Sequence, residues 1–381
     1  MTDTLRSSVP RTATSSAGQA EDDLRRLGEE LTQRMGRRNV SVLAVGSVGW
    51  AHMEARSAVD AHVADYDLIV VADHLTEPER VLHRRRIDRW LGQAAGTFAL
   101  PVAVGILHRS ALPRLPFTLF NYEMRYAHRV LAGADPTDDM PLYRADQMPL
   151  IEATRLLLNR GVLLWGDSLL SGRALSQNET ALVAQRNRKA LLAMGDALLM
   201  ASRAYHWSYR VRLARVADCS VFDHFQSAGL RGRYAGALEG KIAGDAGSAE
   251  GCPPREQAAS LLELHAAVFR CVEERRLRRT IADWREYATA MLHYPRYLAP
   301  SRLKRLARLV RAFGAPRGNG FYRRHGRYAP EEVLLGAFPS LAYGGAEPVN
   351  PRHMLNWQPR GSPTSPTALW HRFHSVWARG A

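Results

Sequence analysis

Apolar positions along this chain change their period several times, and each change predicts a different element. From Glu21 to Arg37, Leu24, Leu27, Leu31 and Met35 recur at helical spacing, which predicts an amphipathic helix with one buried stripe. Val40 to Val45 is a short run rich in Val and Leu that ends in Gly46-Ser47. Tyr66 to Val71 is a second apolar run, interrupted by one carboxylate; both read as strands, joined by a polar loop. Thr76-Glu77-Pro78-Glu79 has the form of a capping box with proline in the first turn, opening a helix to about Gln93. Leu100 to Leu107 reads as a third strand. Phe117 to Leu131 is predicted helical, closing near Gly133, and Asp135 to Asp139 is a loop whose acids read as solvated turn residues.

Near Pro149 the pattern becomes almost wholly helical. Leu150, Ile151, Thr154, Leu157 and Leu158 form one stripe, and Ser176-Gln177-Asn178-Glu179 repeats the capping-box pattern, opening a long helix to about Tyr205. The aromatic cluster Tyr205 to Arg210 that ends it reads as core rather than as a stacking platform. Gly240 to Pro254 is a Gly- and Pro-rich loop; helices are predicted over 256–276, 279–291, 301–313 and 330–336, with a turn at Arg317 to Gly320. Beyond Gly344 the prolines Pro348, Pro351, Pro359, Pro363 and Pro366 predict an extended strap. Leu369, Trp370, Phe373, Val376 and Trp377 then line one side of an amphipathic helix over 367–379, which is expected to dock on the protein itself. The expected organisation is an α+β protein with a disordered tail over 1–20 and a small mixed-sheet domain over 21–145. An α-helical domain follows over 146–344, with the strap and last helix over 345–381.

Composition narrows the picture. At 381 residues the chain exceeds the size at which single cores stop growing, so two domains are the natural expectation, and 46% apolar residues suffice for two cores. No run of about 18 uncharged apolar residues occurs. The first twenty residues lack the apolar centre of a signal peptide, so a cytoplasmic protein without a transmembrane segment is expected. Cys219, Cys252 and Cys271 lack the spacing of a disulfide framework or a zinc site. The net charge of +15 invites a nucleic-acid partner, since clustered basic residues displace counterions from phosphates. That partner stays open but is not favoured. Only Lys189, Lys241 and Lys304 are lysines among 52 basic residues in an alanine-rich chain, a bias that a GC-rich coding sequence produces unaided.

The chemistry concentrates between Val40 and Val71. Side chains at i and i+2 of a strand share a face, so Asp65 and Asp67 would project together while Tyr66 and Leu68 point away. Two carboxylates so placed repel unless a cation lies between them, and Mg²⁺, or Mn²⁺, suits a site with few protein oxygens and room for phosphate. Gly46-Ser47 at the end of the preceding strand offers close backbone approach, N–H donors and a hydroxyl. The bland alternative is a loop acid at Asp65 and an exposed strand acid at Asp67.

A strand, Gly-Ser, a spacer and Asp-x-Asp leading into an apolar strand resembles the signature of the DNA polymerase β-type nucleotidyltransferase superfamily. The resemblance covers roughly residues 40–165. It implies that Gly46 and Ser47 hold the phosphates of a nucleoside triphosphate and that Asp65 and Asp67 hold the metals. A nucleoside monophosphate would pass to an acceptor hydroxyl, with release of pyrophosphate and two metal ions about 3.5–4 Å apart. Asn159 and Arg160, at the end of the first helical stripe, would approach the nucleotide, or else serve as a cap and a surface cation. A small-molecule acceptor is favoured over RNA or a protein side chain. Several features depart from the pattern. The spacer from Ser47 to Asp65 is long, Ala64 stands where Ser is frequent, and Gly49 to Glu54 keeps only the acid of the usual Ala-Arg-Gly-Glu. The third strand, Val102 to Leu107, carries no acid on either face. Glu123, in an apolar and aromatic stretch, is the candidate replacement base, with Arg125 or Arg129 as its alternative salt-bridge partners; Glu54 and His108 rank behind it. A catalytically silent nucleotide-binding or scaffold protein of the same fold is the competing expectation.

Overall fold

The computed structural model describes residues 17–36, 39–54, 65–170, 174–243, 254–293, 307–310, 312, 330–344 and 365–380. The strap over 345–364, the turn at 317–320 and most of the helix expected over 301–313 lie outside them. The described residues form a mixed α+β protein in two compact units. One comprises 17–149 with 202–243, the other 150–201 with the described residues from 254 onward.

The first unit is built on a four-stranded mixed sheet in the order β3-β2-β1-β4. Strands β1 (Val40–Val45) and β2 (Tyr66–Ala72) pair antiparallel, β3 (Val102–His108) runs parallel to β2, and β4 (Arg129–Ala132) pairs antiparallel with β1. Alternation sorts the strand residues. Val42, Ala44, Tyr66, Leu68, Val70, Val104 and Ile106 join one core with Leu24, Leu27, Leu31 and Met35 of helix α1 (Ala17–Met35) and Ile87 and Trp90 of helix α3 (Glu77–Gln93). The Tyr66 hydroxyl reaches Asp23 Oδ2 at 3.3 Å, and the Ala99 amide donates to the same oxygen at 2.7 Å, so this buried carboxylate is satisfied. Thr76 and Glu79 close the capping box of α3 as the sequence predicts.

Several boundaries move. Helix α1 begins at Ala17, inside the stretch expected to be tail. The segment after β1 is not a loop: Gly46–Met53 forms helix α2. The helix expected over Phe117 to Leu131 is shorter, because α4 spans Leu119–Tyr126 and the chain then turns at Ala127 to become β4. Edge pairing with β1 claims those residues, and Arg129 is fixed by a two-pronged hydrogen bond to Glu21 at 2.8 and 2.7 Å, which holds the Glu21 carboxyl below its usual range.

The helical domain expected over 146–344 is divided between the two units. Leu150–Ala201 lies in the second unit, and residues 202–243 belong with the sheet. Helix α6 (Gln177–Ala201) ends before Tyr205, and Ser208 caps helix α7 (Tyr209–Asp218). From there α7 and α8 (Leu230–Ala243) cover α2: Trp50 and Ala51 pack with Trp207, Tyr209 and Ile242, and the Trp50 and Tyr209 rings meet edge to face at 4.5 Å.

In the second unit α5 (Leu150–Ser168), α6 and α9 (Pro254–Leu277) pack on one another, with α10 (Trp284–His293) against α11 (Pro330–Ala342). Glu273 is wholly buried. It accepts from Thr154, from Arg276 Nε at 2.7 Å and Nη2 at 2.5 Å, and from the Tyr287 hydroxyl at 2.8 Å. His265, also wholly buried, lies 2.6 Å from the Tyr343 hydroxyl and 3.1 Å from the Leu157 carbonyl, and burial pushes its pKa down to about 4. Helix α12 (Pro366–Gly380) buries Leu369, Phe373, Val376 and Trp377. It packs on α5 and α11, and the Trp370 indole donates to the Val162 carbonyl at 2.8 Å. Gly166 leaves the space for that ring, since a Cβ there would stand 2.4 Å from it.

Candidate functional site

The open end of the β1–β2 pair brings four of the sequence candidates to one place. In the register of the sheet Asp67 lies opposite Val45, so the residue that follows, Gly46, turns directly over its carboxylate. Gly46 has φ +61°, and a Cβ on it would stand 3.1 Å from Asp67 Oδ2. Any other residue there would be strained in its backbone and crowded against the acid, which is a physical reason for glycine at this point. Ser47 follows in the first turn of α2, where Val45 provides no side-chain cap. Asp65 lies two residues before Asp67, just outside β2, and both acids, like Ser47, are half-buried.

Helix α2 is held in this position by a close approach. At Gly49 a Cβ would stand 2.2 Å from the Ala127 carbonyl, so the helix lies against the turn between α4 and β4 with no room for a side chain. At the other end Glu54 accepts from Ser208 and pairs with Arg210 at 2.9 Å. Glu54 is therefore a strut between α2 and α7.

The helices that return to the sheet supply a cation that the sequence did not single out. Lys241 Nζ, near the end of α8, lies 3.4 Å from Ser47 Oγ. Their separation of 194 residues leaves no local pattern from which to find it. One of three lysines in an arginine-rich chain was the faint signal.

Comparison with protein-family models, curated proteins and solved structures finds no match to this chain. The site is accordingly read from its geometry.

The remaining candidates fall elsewhere or are already engaged. Glu123 on α4 accepts from the Tyr205 hydroxyl at 2.6 Å and faces Arg212 at 3.7 Å. Arg212 is itself buried, lies between the Tyr205 and Tyr209 rings at 4.7 and 4.2 Å, and donates to the Trp207 carbonyl. The ion-pair partner of Glu123 is thus Arg212 rather than Arg125 or Arg129: Arg125 donates to the Thr137 and Met140 carbonyls. His108 accepts from the Ser110 amide at 2.9 Å and caps a short 3₁₀ turn. Asn159 and Arg160 lie on α5, in the helical unit. Beside Asp67 in the sheet stands Ala103, with Gly105 beyond it beside Ile69, so β3 brings no third acid to this face. Among the described residues no group of three or more His, Cys, Asp or Glu converges as a metal cage.

Proposed function

We propose that the protein transfers a nucleotidyl group from a nucleoside triphosphate to an acceptor hydroxyl. The observation that carries the reading is the fit of Gly46 over Asp67, with Ser47 and Lys241 alongside. It joins a half-buried carboxylate, with Asp65 two residues before it in the chain, to a backbone turn that only glycine fits, a hydroxyl and a cation, the ingredients that a metal-bound triphosphate requires. Two carboxylates without a third suit a hard divalent ion that takes its other ligands from water and phosphate, so Asp65 and Asp67 would hold Mg²⁺ or Mn²⁺. When bound, the ion would neutralise charge on the phosphates. Gly46 and Ser47 would receive the phosphate oxygens, with the Lys241 ammonium facing them. In the reaction the acceptor oxygen bonds to the α-phosphorus, the bond to pyrophosphate breaks, and the acceptor proton leaves to a base.

The surroundings of that base support a second reading. With Ala103 and Gly105 on the face of β3 that carries no acid, and Glu123 engaged by Tyr205 and Arg212, the same site would bind a triphosphate without turning it over. Incubation with α-labelled triphosphates, Mg²⁺ or Mn²⁺ and a panel of small hydroxyl acceptors separates the two. Labelled product that disappears in Asp67→Asn supports transfer. Metal-dependent triphosphate binding without product, lost in the same variant, supports the silent binder, and absence of both would sink the assignment of the site.

A further inference from the structure

A second concave site opens in the sheet unit, where the Tyr205 to Arg210 segment meets α4 and the chain that follows β4. It is an open pocket of about 620 Å³, within the range of small-molecule sites. Its walls are rings. Tyr122, Tyr126, Tyr143, His206 and Trp207 line it, and most of them are fixed from behind. The Tyr126 hydroxyl donates to the Tyr143 carbonyl at 2.9 Å, the Tyr143 hydroxyl donates to the Leu115 carbonyl at 2.9 Å, and the Ser208 amide donates to His206 Nδ1 at 3.0 Å. Trp207 packs with the buried Trp50 and Ala51.

The charges around these rings are unbalanced. Arg144, Arg203 and Arg215 line the pocket against one acid, Asp146, and Arg144 already grips that acid with two hydrogen bonds at 3.2 and 2.8 Å. Arg215 donates to the Ala204 and Tyr205 carbonyls at 3.0 Å each, which pins the turn carrying Arg203. Arg203 is exposed and has φ +58°, two residues past the end of α6, a place where glycine or asparagine is the usual residue. Holding a long cationic side chain in the left-handed region costs about 1 kcal/mol. The hydrogen bond from Arg144 lowers the Asp146 pKa, and the charge that Arg203 places at the pocket adds a smaller effect in the same direction.

We propose that this pocket binds a small planar ring carrying an acidic group, the ring lying against Trp207 and the tyrosines and the acid meeting Arg203. Rings stack on aromatic walls with little dependence on their identity, whereas a guanidinium selects a carboxylate or phosphate by a paired hydrogen bond. An aromatic carboxylate and a nucleoside monophosphate share this chemistry. The proposal stands on the pocket alone and does not depend on the transfer reading.

Calorimetric titration of the full chain without added metal tests it, with 4-hydroxybenzoate and uridine 5′-monophosphate as the ring-bearing acids. Phenol, uridine, acetate and inorganic phosphate serve as the half-ligands. At least one ring-bearing acid should bind with Kd below about 1 mM and about tenfold tighter than its own halves, and the arm that binds identifies the source. Arg203→Gln should weaken that binding about tenfold with no loss of melting temperature. Trp207→Leu should weaken it also, and Asp65→Asn with Asp67→Asn should leave it unchanged. The proposal is overturned if neither acid binds below about 1 mM. It is equally overturned if Arg203→Gln leaves the affinity intact, or if the aspartate variants abolish binding.

Discussion

In the helical unit Glu273 is wholly buried and its two oxygens meet Thr154, Arg276 and Tyr287, while His265 sits between a tyrosine hydroxyl and a backbone carbonyl. In the sheet unit Asp65, Asp67 and Ser47 are half-buried at the end of a strand pair, with a glycine above one acid and a lysine beside the hydroxyl. Both arrangements gather charge on a scaffold of apolar residues. The first closes on itself and has no capacity for a visitor, so its effect is on stability. The second is only half-buried, and the backbone around it adopts a positive φ at Gly46, where a Cβ would stand 3.1 Å from the Asp67 carboxylate. The two differ in burial: the first is closed off from solvent and the second is not.

The comparison breaks most sharply at the aspartates. On the transfer reading Asp65→Asn and Asp67→Asn each lower transfer by at least about 100-fold while shifting stability by no more than about 0.5 kcal/mol. Full activity in either variant, in an assay validated with wild type, would remove the site. The opposite split is expected for Glu273→Ala, which strands Arg276 in the interior. It should cost about 3–5 kcal/mol by chemical denaturation, with little change in nucleotide binding per folded molecule.

The pH dependence of the helical unit sharpens the contrast. The folded pKa of His265 is about 4 against an ordinary 6.5, so the unfolded chain takes the proton first. Stability from this group is present above pH 6.5 and falls as pH drops toward 4, by about 3 kcal/mol. Asp167 runs the other way. Burial pushes its carboxyl up to about 6, despite Arg186 at 2.8 Å, so its contribution is present below about pH 3.8 and is lost as pH rises through 6. The two slopes oppose each other between pH 4 and 6 in the wild type. Asp167→Asn should therefore steepen the loss of stability on acidification, and denaturant midpoints measured across that range would show it. A smaller effect is expected at Glu123→Gln, which keeps a partner for Tyr205 but leaves Arg212 without its carboxylate. About 1 kcal/mol should be lost if Glu123 is a strut. Loss of transfer at unchanged stability would instead make Glu123 the missing base.

Elements carried by local patterns were legible in the chain. The stripe Leu24, Leu27, Leu31 and Met35, the alternation of β2 around Asp67, and the two Thr or Ser to Glu capping patterns each have a period or spacing of their own. The pairing of Gly46-Ser47 with Asp67 was legible for the same reason, since two adjacent strands join them. Strand β4 was missed because four residues carry too little alternation to outweigh the helical stretch before them, and its partner β1 lies far back in the chain. Helix α2 was missed because Gly46 and Gly49 read as loop residues, although the first supplies a left-handed turn and the second a contact distance. Lys241, and the return of residues 202–243 to the sheet unit, are properties of the folded chain alone.

That return has a consequence for the birth of the molecule. Glu54 waits for Ser208 across 154 residues, and Ser47 waits for Lys241 across 194, so the sheet unit cannot be finished when its strands leave the ribosome. Synthesis must pass through α5 and α6 before the helices that cover Trp50 emerge. Contacts so far apart in sequence are slow to form and leave apolar surface uncovered in the interval. A fragment stopped at Pro149 would hold all four strands and both aspartates yet keep that interval open permanently. Cutting the gene between strands and helices is therefore the wrong way to isolate the chemistry of this protein.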